Sequence, residues 1–359
     1  MMMKKIILGI SLFCLTLAAQ AESNAKKAPT TKKTFGRDEV IALSTPDGQR
    51  YLEILTDKSV GHQQMNIRYT EPVTSTKTFC TGLGADQPDI MLLTRNMSTE
   101  ELERCRDRGI TDIIRVTLGT EAIIFAAEKS AILPLLDRKI IWRAFSKEVF
   151  QHEMVSSSRV IANPHKRWKD LNKAFPAQLI RLIAPVEKSP LFDSFKDLGL
   201  QSGCSQYSWI KDMQYHRHYR AYYKAHCFRA RQDAVILHPG KKSISQADRI
   251  AADKTAIGLM SLQDWLQGDD RLQALAIEGV MPSLDSLRDG SYLLARPHYM
   301  FVKQAHLDKL PALKKLFAEM TSEAALGKGG YFEKMALVQT QDRDEAQTKV
   351  IMPKKKPVK

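Results

Sequence analysis

Thr94 and Arg95 have the strongest claim to binding chemistry in this chain. They follow Ile90-Met91-Leu92-Leu93, an apolar run of strand length, with Pro88 as a breaker in front. A hydroxyl and a guanidinium at the carboxyl end of a buried strand stand where open α/β sheets place their ligands. Ser98 and Glu101 have the S-x-x-E spacing of a capping box, so a helix should start directly afterwards, and Gly109 is placed to end it. An arginine beside a helix start favours a negative group. Residues 88–101 therefore predict a site for a small anion, or for a ligand carrying an anionic group.

The other patterns argue against catalysis. There is no P-loop, no H-E-x-x-H and no G-x-S-x-G elbow. Gly82-Leu83-Gly84 lacks the third glycine of a dinucleotide fingerprint. Glu100-Glu101 and Asp269-Asp270 read as solvated helix or turn residues. His216 and His218 are two apart and do not share a helix face. No catalytic residue, metal or cofactor is expected, and a binding module fits better than an enzyme.

The elements that must hold such a site alternate between strands and helices, which makes the class α/β. Strands are predicted over 39–43, 65–69, 90–93, 113–118, 122–127, 179–183, 256–259, 272–277, 291–294 and 299–302. A turn at Pro46-Asp47-Gly48 precedes a helix over 51–55. Residues 132–150 read as one helix with Leu135, Leu136, Ile140, Ile141 and Phe145 on one side. Ser189-Pro190 is an N-cap followed by proline at the first helical position, and that helix should stop near Gly199. A helix spans 243–253. Leu310, Leu313, Leu316, Phe317 and Met320 mark a last amphipathic helix. Residues 207–231 mix five tyrosines, Trp209, Phe228 and several cations. They read as an amphipathic helix packing its rings inward, and the alternative is a nucleic-acid surface that interleaves charge with aromatics.

Length and charge bound the rest. The 359 residues suffice for two lobes of ordinary size. Residues 1–21 read as a signal peptide: Lys4 and Lys5, an apolar core, then Ala19-Gln20-Ala21 as an A-x-A cleavage site near Ala21. Cys14 lies inside the apolar core without the small residue before it that a lipid-anchored protein needs. The chain is expected to be periplasmic or secreted. The net charge of +14 drops to +12 with the leader's two lysines removed. Part of the charge belongs to a basic linker over 22–37 and a basic tail over 341–359, both of disordered composition. Cys80, Cys105, Cys204 and Cys227 remain, an even number that suggests disulfides in an oxidising compartment. Three connectivities are open. The local one, Cys80 with Cys105 and Cys204 with Cys227, would contribute about 3 kcal/mol per bond in the chain-entropy model. Zinc is the rival use, but no C-x-x-C pair is present.

Several blocks, in order and spacing, resemble the periplasmic phosphate-binding proteins of ABC transporters, within the type II solute-binding fold. They are Thr78-Phe79-Cys80-Thr81-Gly82-Leu83-Gly84 with Pro88-Asp89-Ile90 and Thr94-Arg95, then Trp168-Lys169-Asp170-Leu171-Asn172 with Phe175-Pro176. Ala256-Ile257-Gly258-Leu259, Ile277-Glu278-Gly279-Val280-Met281-Pro282-Ser283, Gly290-Ser291-Tyr292 and Ala295-Arg296-Pro297 follow. The similarity runs over most of 38–340. It implies two α/β lobes, 38–125 plus 296–340 and 126–295, joined by a two-strand hinge crossing near Phe125 and returning near Arg296. It implies ligand capture between the lobes for an ABC transporter permease, with phosphate or another small anion as cargo and neither nucleic acid nor direct membrane contact. By position it implies ligand contacts from Ser44, Thr45, Thr74, Ser75, Thr94, Arg95 and Ser189. The local disulfide pairing is similar to that of a cysteine-bearing branch of the family. The chain also departs from the pattern: Pro190 and Leu191 stand for glycine and threonine of a Ser-Gly-Thr helix start, Phe192 for a frequent arginine, and Glu71-Pro72 enters the glycine-rich anion loop. Each change removes a donor or adds negative charge. The alternative function is a repurposed fold that kept its lobes, lost its pocket and acts as an envelope scaffold or interaction protein.

Overall fold

The computed structural model describes residues 35–44, 46–54, 66–69, 76–151, 159–213, 218–240, 244–340, 346–350 and 352. Among them the strands are β1 (Glu39–Leu43), β2 (Asn66–Tyr69), β3 (Ile90–Leu93), β4 (Ile113–Glu128), β5 (Glu148–Phe150) and β6 (Val160–Ala162). Then come β7 (Leu182–Ile183), β8 (Ile236–Leu237), β9 (Ile257–Ser261), β10 (Leu272–Ala274), β11 (Ala295–Lys303) and β12 (Gln347–Lys349). The main path runs β2-β1-β3-β11-β4-β9-β7-β8, with β10 and β12 also paired to β4. β2, β1 and β3 are mutually parallel, as are β8, β7 and β9. The antiparallel strands β4 and β11 stand between the two parallel groups. All of these residues belong to one compact unit, Thr34–Lys359.

The sequence pattern explains the burial. In β3, Ile90 and Leu92 pack into one apolar cluster with Val40, Val116 and Met300, while Met91 and Leu93 pack into another with Leu43, Phe79 and Phe301. Successive strand residues face opposite ways, so a sheet covered on both faces needs an unbroken apolar run. A third cluster surrounds the second half of β4 with β7, β9 and the aromatic side chains Trp142, Phe145, Trp168 and Phe195. Cys80 is bonded to Cys105 and Cys204 to Cys227, and all four are buried.

Several expectations need correction. The two strands expected over 113–118 and 122–127 are one 16-residue strand. Gly119 carries the chain through its middle with φ at +134°, opposite His298, where the register to β11 shifts. A Cβ there would meet the Leu337 carbonyl group at 2.9 Å, so a side chain fits neither the backbone conformation nor the space. The turn at Pro46 is the first turn of a helix, Pro46–Glu53. The helix expected over 132–150 covers only Arg138–Phe145, N-capped by Asp137, and Leu135 is 83% exposed. The helix that begins after Ser189 does not stop at Gly199 but continues as a π-helical turn, Phe195–Gln201, into Ser202–Cys204, with Gly199 packed under the Phe195 ring where a Cβ would have little space. The strand expected over 291–294 is not formed; β11 begins at Ala295 and runs through Arg296-Pro297. The stretch 207–231 contains two helices, Ser208–Met213 and Arg220–Cys227, with Tyr207 and Tyr223 buried in the core. His216 lies outside the described residues.

Candidate functional site

β1 and β3 pair in parallel, Leu43 opposite Met91, so Ser44 and Thr94-Arg95 leave the carboxyl ends of neighbouring strands. Ser44 is buried, with Gly48 of the Pro46–Glu53 helix packed against its hydroxyl. Thr94 is half-buried and Arg95 exposed. The next helix, Thr99–Asp107, carries the full capping box: the Glu101 N–H donates to Ser98 and the Ser98 N–H to Glu101. Ser189, in the other parallel group, follows β7 and accepts from the Phe192 N–H as an N-cap. Pro190 offers no N–H there, and Phe192 turns into the core against Phe195. Thr45, Thr74 and Ser75, with Glu71 and Pro72, lie outside the described residues.

Arg95 already holds an anion, and that anion belongs to the chain. Its guanidinium donates twice to the Glu101 carboxylate, at 2.8 and 2.9 Å. Glu101 also accepts from the buried Thr76 hydroxyl. Burial alone would raise the Glu101 pKa, but Arg95, Thr76 and the Ser98 N–H bring it down to about 2.

A second charged cluster forms where β4 and β11 cross. Their register places Glu121 opposite Arg296. Arg296 Nε donates to Glu121 Oε1 at 2.7 Å, and His298 Nε2 lies 3.0 Å from the same oxygen. From the Pro46–Glu53 helix, Arg50 reaches Oε2 at 3.2 Å and the Tyr51 hydroxyl donates to it at 3.4 Å. Arg50 also bonds Gln263, next to β9, at 3.3 Å, and Arg296 lies 3.7 Å from Asp197 of the π-helical turn. The Arg296 and His298 side chains are 9% and 2% exposed. Burial would push the Glu121 carboxyl up, yet His298 and Arg296 beside it hold it well below the usual carboxylate range. One carboxylate therefore contacts two arginines and a histidine drawn from both sides of the crossing. Sequence reasoning gave Arg296 only as a hinge position and passed over Glu121, Arg50 and His298. Their separations of 71 and 175 residues leave no local signal.

Among the described residues no group of acidic, histidine or cysteine side chains is arranged to hold a metal ion, and no helix is long and apolar enough to cross a membrane.

A family model described as the PBP superfamily domain matches residues 29–324. None of the curated proteins matches the chain. Among solved structures, a possible phosphate-binding protein from Planctomyces limnophilus is similar with a TM-score of 0.60 at 14% identity, over 86% of this chain and 95% of its own. PstS from Borrelia burgdorferi gives 0.52 at 13% identity, over 81% and 95%. PfluDING, a high-affinity periplasmic phosphate-binding protein solved with phosphate, gives 0.50 at 11% identity, over 86% and 92%. At these identities the likeness is one of fold.

Proposed function

Because this chain belongs to the PBP superfamily, a family of binding proteins divergent here from its phosphate-binding relatives, we propose that it is an exported, non-catalytic binding protein that has closed its inter-lobe cleft with its own ion pairs. Its lobes are 38–125 plus 296–340 and 126–295, and β4 with β11 is the hinge. The separate apolar clusters on either side of the crossing support that division. The leader-like residues 1–21 and the two disulfides support a periplasmic or secreted location. The chain then works as an envelope interaction protein and not as a phosphate carrier.

The observation that carries this reading is the Glu121 cluster. In a cleft built to hold a free anion, Arg50 and Arg296 would be the natural donors, and Glu121 already takes both, with His298 Nε2 3.0 Å from it. Glu101 does the same for Arg95. An incoming phosphate would have to displace a carboxylate from each cation and leave that carboxylate without its partner, at a cost of a few kcal/mol.

A second reading is the capture of phosphate or another small anion by Ser44, Thr45, Thr74, Ser75, Thr94, Arg95 and Ser189, for delivery to an ABC transporter permease. It is favoured by the placement of Ser44 and Thr94-Arg95 at adjacent carboxyl strand ends, beside two helix starts. Calorimetry separates the two. Inorganic phosphate is titrated into the leader-free chain after bound anion has been removed by partial unfolding and refolding. No heat up to millimolar phosphate is expected. Micromolar binding would overturn the closed-cleft reading and establish the second.

A further inference from the structure

A cavity of about 510 Å³ lies beside the edge strand β8, between the segment that starts at Pro190 and residues 228–232. Its walls carry Lys147, Lys196, Arg229, Arg231 and His238 against one acid, Glu187, and two rings, Phe192 and Phe228. These cations are not equivalent. Arg231 is consumed by the fold: it donates to both Asp233 oxygens and to the Ala144 and His165 carbonyls. Lys196 pairs with Asp193 and lies over the Phe192 ring. His238 donates from Nδ1 to the Pro185 carbonyl at 2.6 Å, which leaves its other nitrogen for a ligand.

Lys147 and Arg229 differ from the rest. Ser146 and Ala230 form an antiparallel bridge, and the Lys147 N–H donates to the Arg229 carbonyl at 2.8 Å. Lys147 and Arg229 are therefore direct cross-strand partners, and such partners project to the same face. Neither side chain has an acidic partner among the described residues, and both line the cavity. Two like charges set directly opposite each other repel, and the arrangement destabilises the fold unless a counter-charge joins them. Behind them, Phe192 is held edge-on to His238 at 4.8 Å and Phe228 is partly buried against the core, so the cavity floor is apolar and firmly placed.

We propose that this cavity binds a small organic anion: a carboxylate or phosphate-ester head between Lys147 and Arg229, and an aromatic or apolar body against Phe192 and Phe228. The volume lies within the range of ordinary small-ligand pockets, and two rings stand among the cations that would hold an anionic head. None of the residues involved belongs to the Glu121 or Glu101 clusters, so the site does not draw on those ion pairs.

The test is calorimetry on the leader-free chain with three probes: phenyl phosphate, inorganic phosphate and the neutral benzyl alcohol. Phenyl phosphate is expected to bind at least about ten-fold tighter than either of the others, because each of them lacks one half of the recognition. The Lys147→Ala/Arg229→Ala double variant should lose about ten-fold or more of that affinity, and Phe228→Leu a smaller part. The double variant removes exposed charges only and should fold. Failure of phenyl phosphate to bind at millimolar concentration would overturn the proposal. So would equal binding of phenyl and inorganic phosphate, or an unchanged affinity in the double variant.

Discussion

Glu121→Gln is the sharpest test of the charge arrangement at the strand crossing. The substitution keeps the side chain's shape and one oxygen that can accept from Arg296, but it removes the negative charge. Breaking a buried pair by neutralising one partner costs about 3–5 kcal/mol. Here Glu121 is 15% exposed and the amide retains one hydrogen bond, so about 2–3 kcal/mol is expected at pH 7. For a chain of this size that corresponds to a fall in Tm of about 3–4 °C. Thermal unfolding followed by circular dichroism measures it. The acid limb supplies a second reading. The folded carboxyl is depressed, so the unfolded chain takes up a proton before the folded chain does. The stabilisation from Glu121 is complete above the unfolded carboxylate range, at about pH 4–5, and is lost as the pH falls below it. The variant should therefore lose less stability than the wild type on acidification. With the negative charge at this position removed, the variant's Tm should also rise with added phosphate, compared with chloride at equal ionic strength, while the wild type does not respond. A variant that unfolds at the wild-type temperature, with the same acid limb, would refute the assignment of Glu121 as the group that holds the crossing together.

Three further outcomes are expected. Lys303 is fully buried, donates to the Gly82 carbonyl at 2.8 Å, and is pushed by burial from 10.5 down to about 8. Between these two values the unfolded chain holds the extra proton, so the wild type should gain about 3 kcal/mol relative to Lys303→Met as the pH rises from 8 to 10.5, and a flat difference in chemical denaturation across that window would contradict it. Gly119→Ala should cost about 2–4 kcal/mol, since φ at +134° and the Leu337 carbonyl at 2.9 Å both oppose a side chain; urea midpoints measure this, and a loss below about 1 kcal/mol would mean that the strand relaxes there. Arg95→Ala should cost less than about 1 kcal/mol at neutral pH, because Arg95 is half exposed, and the Glu101 carboxyl should titrate higher than about 2 in the variant when followed by NMR.

What could be read in advance was local. β1, β3, the Ser98–Glu101 capping box, the Ser189-Pro190 helix start and the helix Pro311–Met320 depend on residues within a few positions of one another, and their patterns are written in consecutive residues. Errors fell where tertiary contacts overrode the local pattern. Leu135 has the right spacing for a helix face, yet nothing covers it, and the chain turns into helix only after Asp137 supplies a cap. Gly199 reads as a stop, but it sits inside a continuous π-helical turn where a Cβ would meet the Phe195 ring at 3.0 Å, so glycine is there for space and not to end the helix.

The order of residues determined the α/β class, the apolar strand cores and the position of Thr94-Arg95 at the end of β3, because periodicity and capping are properties of neighbouring residues. Only the tertiary structure decided which charges meet. Arg95 has Glu101 six residues away, whereas Arg296 finds Glu121 across 175 residues through the register of β4 against β11. An ion pair depends on a distance of a few ångströms, and for residues so far apart in the chain that distance is set by strand pairing and packing alone.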